Sequence, residues 1–163
     1  MSRLSWFGFG LAVFFLQSSV LPFLFSSFWV PDLWLTAMIL TGVIYRPQDM
    51  IVMAMAAGMI QDLVMGNFFG LHLFPYLAVA FVMTLGGREK YNRQWFVSMT
   101  AVMGGTCLYI LAAAAVIWAA GGHIWPVPYL LHQGIPLIMM NGTAAVVMHY
   151  VLWELKHERE SRW

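Results

Sequence analysis

From Met50 to Gly87 the chain carries a single Asp, Glu, Lys or Arg, the carboxylate of Asp62. So long a stretch with one charge has few possible homes. A soluble domain must cover its surface with charge, yet hydrophobic residues make up 61% of the 163 and charged ones 9%, at a mean hydropathy of +0.76. That balance excludes a soluble globular class and predicts an integral membrane protein. Six spans of about 20 residues with short connections would consume nearly the whole length. Residues 1–163 are therefore expected to form a single transmembrane domain, all-α, with no soluble catalytic domain. The formal charge of +1 points to no partner. Cys107, the lone cysteine, lies in an apolar run and offers neither a disulfide nor a thiolate metal site.

The expected spans are Trp6 to Leu24, Asp32 to Tyr45, Met50 to Met65, Leu71 to Leu85, Trp95 to Ala120 and Tyr129 to Trp153. The second and third are short, with Arg46-Pro47-Gln48-Asp49 read as the turn between them. The first is too long for a signal-peptide core and has no small-residue cleavage site after it, so it is read as retained. All eight basic residues fall in alternate gaps: Arg3; Arg46; Arg88, Lys90 and Arg93; then Lys156, Arg159 and Arg162. By the positive-inside rule both termini are cytoplasmic. Trp6, Trp95 and Trp153 would mark the inner interface, and Trp29, Trp34, Trp118 and Trp125 the outer one. The tail from Lys156 to Trp163 alternates in sign and reads as a solvated helix end.

No Gly-rich loop followed by Lys-Ser/Thr is present, which excludes nucleotide hydrolysis by this chain, and no Ser-His-Asp order, HExxH pair or metal-spaced cluster appears. What remains is a set of intramembrane polar residues: Gln17, Asp62, His72, His132, Asn141 and His149. The reading is non-enzymatic, with no cofactor. Asp62, His72 and His132 could together hold a metal, but their spacing does not require one. His149 and Asn141 are most simply hydrogen-bonded bundle residues, and Pro136 is expected to kink the last span.

A charge in mid-membrane is costly, about 2.5 to 3.5 kcal/mol on insertion scales, so Asp62 must be paired, structural or functional. At 1.5 Å per residue, Gln17 lies about 16 Å above Trp6 and Asp62 about 18 Å above Met50. The two could meet at one level, the amide donating to the carboxylate, and the freed amides around Asn67 are the other partner open to Asp62. Gly58 and Gly66 flank Asp62 on one helical stripe, a face that a neighbouring backbone can approach closely. Gly66 and Gly70 repeat the spacing, but Gly66-Asn67 is a turn signal, and a helix continuing past Gly70 would place Pro75 in its interior. Asp62 is thus expected within about one turn of the outer end of its span, organising the connection to the next. Asp32, after Pro31, is expected to cap the second span.

The run Gly58-Met59-Ile60-Gln61-Asp62-Leu63-Val64-Met65-Gly66-Asn67-Phe68-Phe69-Gly70-Leu71 resembles a segment of the MreD family, the bacterial rod shape-determining membrane proteins. Gln17, the Pro31-Asp32-Leu33 start of the second span and Asn141-Gly142 are also similar to that family. The length and span count fit over the whole chain, whereas residue-level likeness is concentrated in those 14 or so positions. The resemblance implies a six-helix bundle similar to the substrate-binding components of vitamin transporters, in the bacterial cytoplasmic (inner) membrane. It implies a non-enzymatic scaffold of the cell-elongation (peptidoglycan synthesis) machinery that binds MreC. RodA, a class B penicillin-binding protein and MreB would associate directly or indirectly. Gln17, Asp32, Gly58, Asp62, Gly66 and Gly70 are the expected structural or partner-binding residues, with the Gly58-Asp62-Gly66 face offered to the partner's single span. The rival reading is the substrate-binding membrane component of a vitamin-type transporter, with an outward-facing pocket lined by Gln17, Asp62, His72, His132 and Trp125.

Overall fold

The computed structural model describes residues 3–24, 30–65, 69–85, 94–123 and 125–160. Six helices account for nearly all of these, and no strand occurs among the described residues. Helix α1 runs Arg3–Phe15, passes through a π-helical segment Leu16–Val20 and ends in Leu21–Leu24. It is followed by α2 (Leu33–Ile44), α3 (Pro47–Met65), α4 (Leu73–Leu85) and α5 (Trp95–Ala119). Helix α6 comprises Pro126–Tyr129, a second π-helical segment Leu130–Gly134, and Ile135–Glu160. Two stretches are long and apolar enough to cross a membrane, Trp95–Ala119 and Val127–Glu154.

The helix boundaries follow local chemistry. Asp32 is the N-cap of α2, in extended conformation at φ −85° and ψ 93°, its carboxylate accepting the amide of Leu35 at 3.0 Å as expected of it. Helix α2 stops at Tyr45 because Arg46 precedes proline and is steered away from helical geometry. Pro47 then opens α3, where its missing N–H costs nothing. The expected turn Arg46–Asp49 is consequently shorter, and α3 begins three residues before Met50. The last helix likewise begins before Tyr129, at Pro126.

The distortion expected at Pro136 takes a definite form. A proline has no N–H for the carbonyl four residues back, and its ring crowds that carbonyl. Here the chain widens to π geometry immediately upstream, with the amide of Ile135 bonded to the carbonyl of Leu130. The same device precedes Pro22, where the amide of Leu21 reaches the carbonyl of Leu16. Both wide turns relieve proline without breaking the helix.

Helix α2 is the centre of the bundle and packs against each of the other five. Every residue from Leu33 to Thr41 is buried, as is Ile44. Its 12 residues span only about 18 Å, far less than the roughly 30 Å of a bilayer's hydrocarbon core. A helix enclosed by protein on all sides need not be as long as a bilayer is thick. The surrounding helices carry exposed apolar side chains outward, among them Leu11, Val52, Phe81, Leu111 and Val147, whereas α2 exposes none. One expectation fails here: Trp34 is 4% exposed. It points into the bundle instead of marking an interface.

Candidate functional site

Two polar clusters meet near one end of the bundle, and each holds the beginning of a helix. The first four amides of a helix have no partner within it, and leaving them buried and unpaired costs about 1 to 3 kcal/mol each. At the start of α2 these amides are satisfied by three different elements. Asn141 of α6 accepts the amide of Asp32 at 2.7 Å through Oδ1. Gln17 of α1 accepts the amide of Leu33 at 2.7 Å through Oε1. Asp32 itself accepts that of Leu35. The central helix is thus fixed to the first and last helices by its own unpaired donors.

Gln17 therefore does not meet Asp62. The depth arithmetic placed both at one level, but Trp34 of α2 stands between α1 and α3 and lines the space that separates them. Gln17 is drawn instead to the nearer unpaired donor. The π turn at Leu16–Val20 contains Gln17, and the matching one on α6 lies about two to three turns upstream of Asn141.

From Asp32 the first cluster extends into α4, α3 and α5. The hydroxyl of Tyr76 donates to Asp32 Oδ2 at 2.6 Å and also contacts the amide of Gln61. A phenol has one proton to give. Both contacts end on oxygens, Oδ2 of Asp32 and Oε1 of Gln61, so two acceptors share that one proton. Asn141 passes the chain on to Thr106, donating from Nδ2 at 3.1 Å. Tyr76 also packs against the ring of Tyr109, at 5.5 Å between centroids.

The second cluster is built by Asp62, in the last turn of α3. Its Oδ2 accepts the amides of Gly70 at 2.7 Å and Leu73 at 3.3 Å. Its Oδ1 accepts the amide of His72 at 2.8 Å, and the His72 ring nitrogen Nδ1 lies 2.9 Å from the same oxygen. The carboxylate therefore caps α4 from the helix before it, in place of a side chain of α4's own. Its negative charge sits at the positive end of α4. This is the organising role expected of Asp62 at the connection between the two helices.

Both glycines of this clasp are required by geometry. A Cβ at Gly58 would lie 2.6 Å from the Cα of Leu73, which is backbone and cannot move aside. Gly70 has φ +104°, a conformation side-chain-bearing residues rarely adopt, and a Cβ there would strike the ring of Phe74 at 2.6 Å. Gly66 lies outside the described residues. The stripe of Gly58 and Asp62 thus faces α4 of the same chain and is not free for a partner's helix.

The other end of α2 is held as well. Lys156 of α6 donates to the carbonyl of Ile44 at 3.1 Å, a cation on the negative end of the helix, and its ammonium lies 5.4 Å from the Trp153 ring centroid. The tyrosine hydroxyl of Tyr45 reaches the carbonyl of Leu152 at 3.2 Å. Lys156 is therefore part of the bundle, contrary to the expected solvated tail. His149, bonded to Ser98 at 2.7 Å and stacked on Trp153, is a bundle residue as read.

Sequence reasoning missed Gln61 and Tyr76. Gln61 was hidden beside the more conspicuous Asp62. Tyr76 stands four residues after His72 and so shares its face, the one signal that would have joined it to the site. His132 and Trp125 are exposed and join neither cluster. Among the described residues, no group of three or more His, Cys, Asp or Glu side chains converges as a metal site would require. No fully enclosed side-chain nitrogen or oxygen among them is left without a hydrogen-bond partner. Comparison with known protein families, curated proteins and solved structures gives no match for this chain.

Proposed function

We propose that this chain is a six-span, non-enzymatic scaffold of the bacterial cytoplasmic membrane, both termini inside, serving the cell-elongation machinery that builds rod shape. In this reading it binds MreC, and through MreC or beside it RodA, a class B penicillin-binding protein and MreB. The observation that carries the reading is the double clasp. The residues that resemble the MreD segment, Gly58, Asp62 and Gly70, are used to lock α3 to α4, and Gln17, Asp32 and Asn141 to anchor α2. Their side-chain oxygens are engaged with backbone amides and neighbouring side chains, which suits a rigid body that acts by holding another protein in place.

The seam for the partner then lies elsewhere than on the Gly58-Asp62 face. Exposed apolar side chains on the outer helices supply the available surface. Transport, the rival reading, calls for a polar pocket open to the outside. The residues expected to line it are divided instead: Asp62 and His72 are bonded to each other, and Trp125 is 80% exposed. Two cavities lined by α1, Trp34 of α2 and α3 are mainly apolar.

Copurification from bacterial membranes in mild detergent, with partners identified by mass spectrometry, tests the proposal. Recovery of MreC or RodA is the expected result. Recovery of a transporter ATPase would overturn it.

A further inference from the structure

A groove runs between α1 and α3, floored by Trp34 of α2 and lined by Gly10 and Phe14 on one wall and Val52, Ala56 and Ile60 on the other. It extends from Asp49 to Val64, about 22 Å along α3 at the helical rise. Its volume is about 750 Å³. At the Val64 end it continues into a second space of about 300 Å³, where Gln17 and Gln61 stand on opposite walls.

Those two amides are the informative feature. The Oε1 of Gln17 is taken by the amide of Leu33, so its Nε2 and both N–H groups are turned away and find no partner among the described residues. Gln61 is only 6% exposed, and one half of its amide is used by Tyr76. The other half has no partner among the described residues and borders the same space. Unused amide donors at the head of a long apolar groove call for an acceptor carried on an apolar tail.

We infer that the groove binds one phospholipid, with an acyl chain laid along α3 and its ester carbonyl hydrogen-bonded by Gln17 at the Gln17–Gln61 end. This rests on the membrane placement in the proposed function, not on the identity of the protein partners. The dimensions favour a chain over a helix. A helix is a rigid cylinder about 10 Å across. Seated on the rim, it would leave the floor at Trp34 empty and the two amides unmatched. An ester carbonyl meets the amide requirement, and a flexible chain fills the floor.

Native mass spectrometry of the full chain, purified in mild detergent and supplied with dioleoyl phosphatidylglycerol or dioleoyl phosphatidylethanolamine, tests this. The wild type should keep one lipid per chain after washing that strips the rest. Ala56→Trp, which fills an open groove without displacing a packed group, should lower that retention at least tenfold. Leu111→Trp, on the 69% exposed outer surface of α5, should not. Gln17→Glu keeps the acceptor for Leu33 but replaces the donor by a carboxylate, and should also lower retention about tenfold while the unfolding midpoint holds. Equal retention by all variants, or none by the wild type, overturns the inference. So does a photocrosslinker at Val52 that captures protein and no lipid in native membranes. Loss of lipid retention with MreC still copurified would separate failure of this inference from failure of the proposed function.

Discussion

The hydroxyl of Tyr76 lies 2.6 Å from Oδ2 of Asp32, joining the first turn of α4 to the cap of the central helix. Both groups are buried, and the same hydroxyl contacts Gln61 of α3. Three helices therefore share one proton donor. Tyr76→Phe keeps the ring and its packing on Tyr109 but removes that donor, leaving a buried carboxylate oxygen and a buried amide without it. The expected loss of stability is about 1 to 3 kcal/mol. Gln61→Leu should cost less in the Tyr76→Phe background than alone, because the partner it would abandon is already gone. Denaturant unfolding of the purified protein measures both, and a Tyr76→Phe midpoint equal to the parent's would remove the hydroxyl from the account.

Gly58 of α3 lies directly against the backbone of Leu73 of α4, 2.6 Å from its Cα to where a Cβ would stand. A methyl group at position 58 has nowhere to go, so Gly58→Ala must push α4 outward and stretch the bonds from Asp62 to Gly70, His72 and Leu73. Overpacking of this kind costs about 1 to 3 kcal/mol. Gly58→Leu and Asp62→Asn should reduce folded yield and partner recovery in the same proportion, since their damage is internal. A variant that folds to full yield yet loses MreC selectively would place position 58 at the partner interface after all.

Much of this arrangement was legible in the sequence, for reasons specific to each residue. Asp62 was conspicuous as the one charge in a long apolar run, and its place near a span end pointed to the amides of the following turn. Asp32 followed proline at a span start, where a cap is the simplest use of a carboxylate. Gln17 was found but misassigned, because rise per residue gives depth and says nothing of azimuth. Only the position of α2 between α1 and α3 reveals that the nearer unpaired donor is Leu33. Trp34 was misplaced for a related reason: residues near a span end can turn inward when the helix itself is central. Lys156 looked like tail, since sequence shows the charge and not the carbonyl of Ile44 that receives it.

Lys156 has a measurable consequence. Its ammonium bonds the last turn of α2 and lies near Trp153, so Lys156→Met removes a cation from the negative end of a helix while keeping the apolar stem. The expected cost is about 0.3 to 1 kcal/mol. Lys156→Arg should recover part of it, and Lys156→Glu should cost more than Met by placing a like sign at that end. Midpoints for the three variants in that order would support the contact; an unchanged Glu variant would refute it.

The orientation proposed for the bundle can be read with single cysteines. Cys107 is exposed on α5 among apolar neighbours and is replaced by alanine first. His123 follows α5 and is exposed, whereas Arg46 links α2 to α3 at the opposite end of the bundle, the end where Lys156 meets Ile44. With both termini inside, His123→Cys should react with a membrane-impermeant thiol reagent on intact inner-membrane-exposed cells, and Arg46→Cys only after lysis. Arg46 and Lys156 both lie at that end, and positive charge marks the cytoplasmic side of a membrane protein. The reverse labelling pattern would invert the bundle, place the Gln17–Gln61 end of the groove toward the cytoplasm, and require that its lipid be drawn from the inner leaflet.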